Sequence, residues 1–355
     1  MKRRKKPYRR QRGVVLPASV CLCLAVSLLL FSRAGGENTA RGWLTDLARS
    51  NGFVAHAVSF ELGLPADESE VFTPRTASGA LHEDAADPIS ESTYIPNESS
   101  TDDTPVLSAA DKAKTVTVNN ETSYDVDVAS CLSEPVNIRS ESKDEPQVLI
   151  VHTHGSESYK PDDAFPYTPT ENERTTDTRY SVVRVGDELT QILEKNGIPT
   201  EHCRDIFDSP VYSGSYDRSL AAIDAALEAH PSIHVVIDLH RDSILTDSGK
   251  AYKTSCTIDG TEMAQLMFVV GTDDGGLQHD HWRDNLNYVV GLQYALNRTY
   301  PTLMRPVNLR TQRFNQHART GSILVEVGSS GNTMSEALSA IRLFGQVLSD
   351  DLNGV

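Results

Sequence analysis

From residue 146 onward, short apolar runs alternate with longer amphipathic stretches, and this alternation restricts the fold more than any other feature. QVLIV (147–151), HVVIDL (234–239), MFVVG (267–271) and ILVEV (323–327) have strand length and are rich in β-branched residues. After the first of them, Val182, Val185, Leu189, Ile192 and Leu193 fall on one face of a helix that stops at Asn196-Gly197. A second helix is expected over about 216–229, before Pro231, and a third over 282–300. A last one covers 332–352, where Thr333 and Glu336 have capping-box spacing. Strands alternating with helices predict an α/β fold: one domain over 146–355 with a largely parallel sheet flanked by helices on both faces.

The other end of the chain is built differently. Residues 1–12, MKRRKKPYRRQR, hold eight Lys or Arg and no acid, and residues 13–31 that follow carry no charge. About 18 apolar residues suffice to cross a hydrocarbon core roughly 30 Å thick. A basic flank keeps its own side in the cytoplasm. SRAGG offers small residues for signal cleavage, but signal cores run about 7–15 residues, shorter than this stretch. The expectation is therefore a cytoplasmic segment (1–12) and an uncleaved transmembrane anchor (13–32). Residues 33–145 are expected to form a membrane-proximal segment and then a flexible acidic linker. From about residue 64 this region is rich in Ser, Thr, Pro, Asp and Glu, too polar to offset its ordering entropy. Pieces such as VTVNN and YDVDVAS suit a strand or two within a tether.

Net charge narrows the partners. Subtracting the eight basic residues from the −16 of the whole chain leaves −24 on the exported part. Nucleic acid is excluded as a partner, since phosphate binding needs a basic face. Cys21 and Cys23 lie in the apolar segment, and Cys131, Cys203 and Cys256 are too widely spaced for a zinc ribbon or a dense disulfide framework. One bridge among these three stays open.

Three strands matter for what ends them. QVLIV leads into His152-Thr153-His154, with Glu157 three residues on; HVVIDL leads into His240-Arg241-Asp242; and ILVEV carries Glu326. In open α/β sheets the ligand crevice lies outside the carboxyl ends of the strands, so these groups converge on one edge. Imidazole and carboxylate are zinc donors, and a His-Glu-His or three-His set can be drawn from His152, His154, Glu157 and His240. Period-two spacing puts His152 and His154 on one side if the strand continues that far. Glu326, a carboxylate inside an apolar run, suits a general acid/base. Asp238 and Asp242 flank His240 and can orient its ring. HGSESY lacks the G-x-S-x-G elbow that exposes a nucleophilic serine, and neither a dinucleotide fingerprint nor a P-loop occurs.

VHTHGSESY, VYSGSYDRS, DLHRDS, FVVGTDDGG and RFNQHARTGSILVEVGSSGNT, in that order, resemble the stage II sporulation protein P family of endospore-forming bacteria. The resemblance covers about 147–355. It implies a fold similar to zinc-dependent N-acetylmuramoyl-L-alanine amidases and a Zn2+ cofactor. It implies hydrolysis of the amide between the glycan's lactyl group and the stem peptide of peptidoglycan, with cross-link endopeptidase activity beside it. It also implies work in a membrane complex with stage II sporulation proteins D and M, thinning septal wall for engulfment of the forespore by the mother cell. His240 then resembles a zinc ligand and Glu326 the catalytic carboxylate. His152 and His154 are both candidates, His152 preferred as nearest the strand end. Glu157 is the carboxylate ligand of choice, with Asp177 its rival. Arg241, Asp242, Asn315, Gln316 and His317 are candidates for substrate or supporting contacts. A silent wall-binding scaffold is the alternative reading.

Overall fold

A computed structural model describes residues 107–139, 142–170 and 172–354. The expected basic segment, membrane anchor and most of the linker lie outside these residues, and among the described residues no helix is long and apolar enough to cross a membrane. In chain order the elements are α1 (Ala109–Ala113), β1 (Val118–Asn120), α2 (Val128–Ser133), β2 (Val148–Val151), α3 (Val182–Lys195), β3 (Thr200–His202), α4 (Ser215–Ala229), β4 (Val235–Asp242), β5 (Ser255–Ile258), β6 (Thr261–Ala264), β7 (Leu266–Gly271), α5 (Trp282–Thr299), β8 (Val307–Arg310), β9 (Ser322–Ser329) and α6 (Met334–Asn353). Short 3-10 turns at Thr178–Tyr180 and Gln316–Ala318 precede α3 and β9. Every strand and helix expected after residue 146 is present. The capping box at Thr333 and Glu336 closes both ways, each side chain meeting the other's backbone N–H.

Seven strands form one sheet in the order β1-β8-β7-β9-β4-β2-β3, and β5 and β6 make a separate hairpin. All neighbours in the large sheet are parallel except β7 and β9. The largely parallel sheet is thus two parallel blocks joined back to back. It also reaches further toward the N-terminus than the boundary at 146 expected from composition. β1 pairs in register with β8, Val118 opposite Val307, and Val116, Cys131 and Ile138 are buried. These few apolar residues are diluted by polar neighbours, so a composition average reads the stretch as tether. Cys131, Cys203 and Cys256 are all free thiols.

The two faces of the sheet are covered unequally. Val148, Ile150, Val235, Ile237, Leu239, Ile323, Val325 and Val327 alternate onto one face, where they form the main core with α3, α5 and α6. Leu149, Val151 and Val236 point the other way, onto Ile223 of α4 and Phe207. Further along that second face Met267, Val269 and Leu324 meet Phe314 of the loop before β9. This parity decides which side chains meet at the strand ends.

Gly186 in mid-α3 shows how tightly the main core packs there. A Cβ at this position would stand 2.5 Å from His202 Nε2 and 2.7 Å from His152 Nε2. Glycine inside a helix ordinarily costs about 1 kcal/mol relative to alanine. Gly186→Ala should nevertheless destabilise, because both imidazoles are fixed and overpacking costs about 1–3 kcal/mol. Thermal unfolding checks this: a melting temperature equal to or above wild type would mean that the helix shifts freely away from the histidines.

Candidate metal centre

β2 and β4 run parallel with Val151 opposite Asp238, so continuing the register sets His152 beside Leu239, on the main-core face. His152 is fully buried there; its Nδ1 donates to Leu239 O at 3.2 Å, and its Nε2 lies 2.8 Å from His202 Nε2. His202 Nδ1 in turn sits 3.2 Å from Asp187 Oδ1. Burial, reinforced by the neighbouring His202, pushes the His152 pKa down to about 3, so its ring is neutral. His152, the preferred candidate, therefore lies on the face away from the cluster that His154 joins. β2 ends at Val151 and the chain turns through 153–157, so the period-two argument stops before His154 and that ring swings to the opposite face.

On that face His154, Glu157 and His240 come together, each with one donor atom within 4.8 Å of the others'. His154 Nδ1 is 3.4 Å from Glu157 Oε1, and His240 Nδ1 is 3.5 Å from Glu157 Oε2. Two imidazoles and one carboxylate are a donor set that zinc accepts. His154 Nε2 is buried without a hydrogen-bond partner among the described residues. Burial alone would raise the Glu157 carboxyl, but hydrogen bonds from His154 and His240 hold it well below the usual range. The His240 ring is likewise disfavoured as a cation by burial, yet Asp238 and then Glu157 hold its pKa well above normal. The cluster already organises itself as cation against anion.

Supporting contacts fix both ligand segments. Asp238 Oδ1 lies 3.0 Å from His240 Nε2, the position from which a carboxylate orients a metal-bound histidine. The same carboxylate accepts Thr153 N–H at 2.8 Å and Thr153 Oγ1–H at 2.7 Å, tying the turn that bears His154 to the strand that bears His240. Arg241 is buried. Its backbone N–H donates to Glu157 Oε2 at 2.9 Å, and its guanidinium to Ser158 O and Glu173 O at 2.7 and 2.6 Å, pinning the loop that carries the acid.

Glu326 stands directly across from His240 in the β4–β9 register. Its Oε2 is buried and has no hydrogen-bond partner among the described residues. Burial pushes its pKa up to about 8 against the pull of His240, with Glu157 and Asp242 adding to the rise. Asp242 itself pairs with Arg305 at 2.8 Å. Asn315 donates to Tyr216 O and Ser219 Oγ, and Gln316 bridges Val269 O and Gly271 N on β7; both are tied into the fold. His317 sits edge-on to His279 with 6.4 Å between ring centres, outside the cluster. Asp177, the rival for Glu157, caps the 3-10 turn and pairs with Arg179.

Three residues at the centre, Arg174, Tyr212 and Tyr216, have no periodicity or motif of their own. Arg174 approaches Glu157 Oε1 at 3.7 Å and pairs with Asp208. Tyr212 stacks on His154 with ring centres 4.7 Å apart, and Tyr216 meets the same ring edge-on at 5.5 Å. The only sequence signal for the tyrosines is their place in VYSGSYDRS, a segment that carries the family resemblance.

The family model described as Stage II sporulation protein P matches residues 70–349. The chain belongs to the Stage II sporulation protein P family. Stage II sporulation protein P of Bacillus subtilis (strain 168) is 27% identical over 218 residues, covering 58% of this chain and 51% of the relative. The chain thus spans about half the length of that curated member of the family. Among solved structures it is similar to the CwlD amidase of Clostridioides difficile in complex with the GerS lipoprotein (12% identity, TM-score 0.35, 59% of this chain and 97% of that one). It is also similar to the amidase Ami1 of Mycobacterium abscessus (14% identity, TM-score 0.36, 59% and 98%) and to AmiC2 of Nostoc punctiforme (10% identity, TM-score 0.34, 60% and 97%).

Proposed function

We propose that this member of the Stage II sporulation protein P family is a membrane-anchored, zinc-dependent peptidoglycan hydrolase acting as an N-acetylmuramoyl-L-alanine amidase. The observation that carries the reading is the His154–Glu157–His240 cluster with the unpartnered Glu326 carboxyl beside it. A silent scaffold gains nothing from a half-buried carboxyl whose one buried oxygen, Oε2, has no partner among the described residues.

His154, Glu157 and His240 would hold the ion. When bound, zinc supplies Lewis-acid polarisation of the amide carbonyl and of the attacking water. Asp238 keeps His240 turned so that Nδ1 faces Glu157, and Arg241 keeps Glu157 in place. In its ionised form, which His240 favours and a cation held beside it would favour further, Glu326 takes the proton released as the water oxygen bonds to the carbonyl carbon, then passes it to the nitrogen as the C–N bond breaks. The products are a lactyl carboxylate on the glycan and a free L-alanine amine on the stem peptide. An uncharged stretch at 13–31 after a basic segment supports the anchor, with the C-terminal domain outside the cytoplasm. A polar stretch between anchor and domain gives the reach that a wall substrate demands. The family's description supports a role in sporulation; septal wall thinning from the engulfing mother-cell membrane, with stage II sporulation proteins D and M as partners, is the role proposed within it.

The test uses the full chain in detergent micelles with purified sacculi. Stem peptides with free L-alanine amines should appear, vanish with a chelator and return with zinc. Fragments with new amines only between stem peptides would make the enzyme an endopeptidase instead. Release of nothing under any metal, with the partner proteins present, would leave the scaffold.

A further inference from the structure

Six large hydrophobic side chains among the described residues are strongly exposed, and four of them sit on the two loops that follow β3 and β4. Val211 and Tyr212 follow β3, whereas Leu245 and Tyr252 lie on the loop after β4. β2, which delivers His154 and Glu157, runs between those two strands in the sheet. The two loops thus leave the carboxyl ends of the strands on either side of β2, each carrying one aliphatic and one tyrosine side chain.

Neither tyrosine is on a loosely held loop. The Tyr212 ring stacks on His154 at an interplanar angle of 26°, and the Arg174 guanidinium lies 4.9 Å from its centre. It is 42% exposed all the same, so a broad part of the ring meets solvent at a fixed offset from a metal ligand. The second loop folds back on itself through Tyr252 N–H to Ile244 O and Thr246 N–H to Lys250 O, both 2.8 Å. Its base is set against the turn after β9: Ser329 Oγ donates to Tyr252 O, and a Cβ on Gly331 would stand 2.4 Å from Tyr252 C. Tyr252 is 52% exposed.

We propose that Tyr212 and Tyr252 are carbohydrate-stacking residues that seat the glycan strand on the two sides of the metal centre; this rests on the amidase reading. A pyranose ring offers an apolar C–H face rimmed by hydroxyls, and a tyrosine offers the match: a π face with negative potential and a phenol as polar handle. Charge selects the sugar over the peptide as the gripped part. A domain within an exported region of net charge −24 repels stem-peptide carboxylates, while N-acetylated sugars are neutral. Two platforms separated by the metal residues hold a polymer across the centre and leave the lactyl amide at the middle.

The test measures binding and turnover separately, in the full chain in detergent. Calorimetry with a soluble β-1,4 oligomer of N-acetylglucosamine reads affinity without catalysis. Tyr212→Ala and Tyr252→Ala should each weaken it roughly five- to tenfold, and Tyr212→Phe should restore it. With zinc content at the wild-type level, the ratio of kcat/KM on glycan-bearing muropeptide to that on a sugar-free lactyl-peptide amide should fall by a similar factor, through KM. Unchanged oligomer affinity in both alanine variants overturns the proposal, as does an equal loss on both substrates, which would reduce Tyr212 to packing against His154. Wild type that binds the oligomer but cleaves neither substrate would sink the amidase reading and leave the sugar site standing.

Discussion

Glu326→Gln is expected to abolish amide hydrolysis, lowering kcat by roughly 10²–10⁴-fold, the range contributed by a positioned acid–base group. Bound zinc should stay at the wild-type level, because Glu326 lies outside the three clustered donors. Glutamine keeps the shape and loses only the exchangeable proton, so intact metal content with absent turnover isolates the proton-transfer role. Loss of metal along with activity would instead make Glu326 a ligand. The same substitution carries a pH signature in the metal-free protein. Burial holds the Glu326 carboxyl up near 8, against an ordinary value of 4.5. Between those values the folded chain keeps a proton that the unfolded chain has released, so wild-type stability falls as pH rises through that window. Glutamine removes this contribution. After chelation, the fall in melting temperature from pH 5 to pH 8 should be shallower in Glu326→Gln than in wild type, and parallel curves would mean a solvated carboxyl.

His154→Ala and His240→Ala should each lose zinc, with affinity falling by more than the ~10–100-fold that follows loss of an outer partner. His152→Asn should retain it, since that ring is spent on Leu239 O and His202 on the far face of the sheet. His240→Ala has a second consequence. It strips Glu157 and Asp238 of the cation between them. Leaving buried charge uncompensated costs about 3–5 kcal/mol. The metal-free His240→Ala protein should therefore unfold well below metal-free wild type, and His154→Ala should fall less, because Arg241 N–H and Arg174 still serve Glu157. Zinc titration against a competing chelator, with thermal unfolding of the same samples, reads both effects. A His152 variant that lost the metal while His154→Ala kept it would reverse the assignment.

Most of the architecture was legible because it rests on local periodicity. The helix over Val182–Lys195 declares itself by its apolar stripe, and Val235–Asp242 by an apolar run, interrupted only by Asp238, that ends in His-Arg-Asp. Strands of three or four residues do not. Thr200–His202 has no fully buried side chain and Val307–Arg310 alternates only twice, so each is a strand because a neighbour pairs with it. β1 is the same case in a polar setting, and it alone moves the edge of the sheet back past residue 146. The antiparallel junction between β7 and β9 also leaves no mark on either sequence, since both strands are buried on both faces.

At the metal centre the division is similar. The residue types and their placement at strand ends determined that imidazoles and carboxylates would converge on one edge, because a parallel sheet delivers its carboxyl ends to one side. Glu326 was conspicuous for the same kind of reason: a carboxylate in an apolar strand must have a use or a partner. Which of His152 and His154 stands in the cluster was decided only by tertiary structure. It depends on which residue of β4 stands opposite Val151 and on where β2 ends, and a one-residue difference in either flips a side chain to the other face of the sheet. Arg241, next to His240 in the chain, holds Glu157 through its backbone. Chain order supplies the chemistry at a strand end; pairing register decides which face receives it.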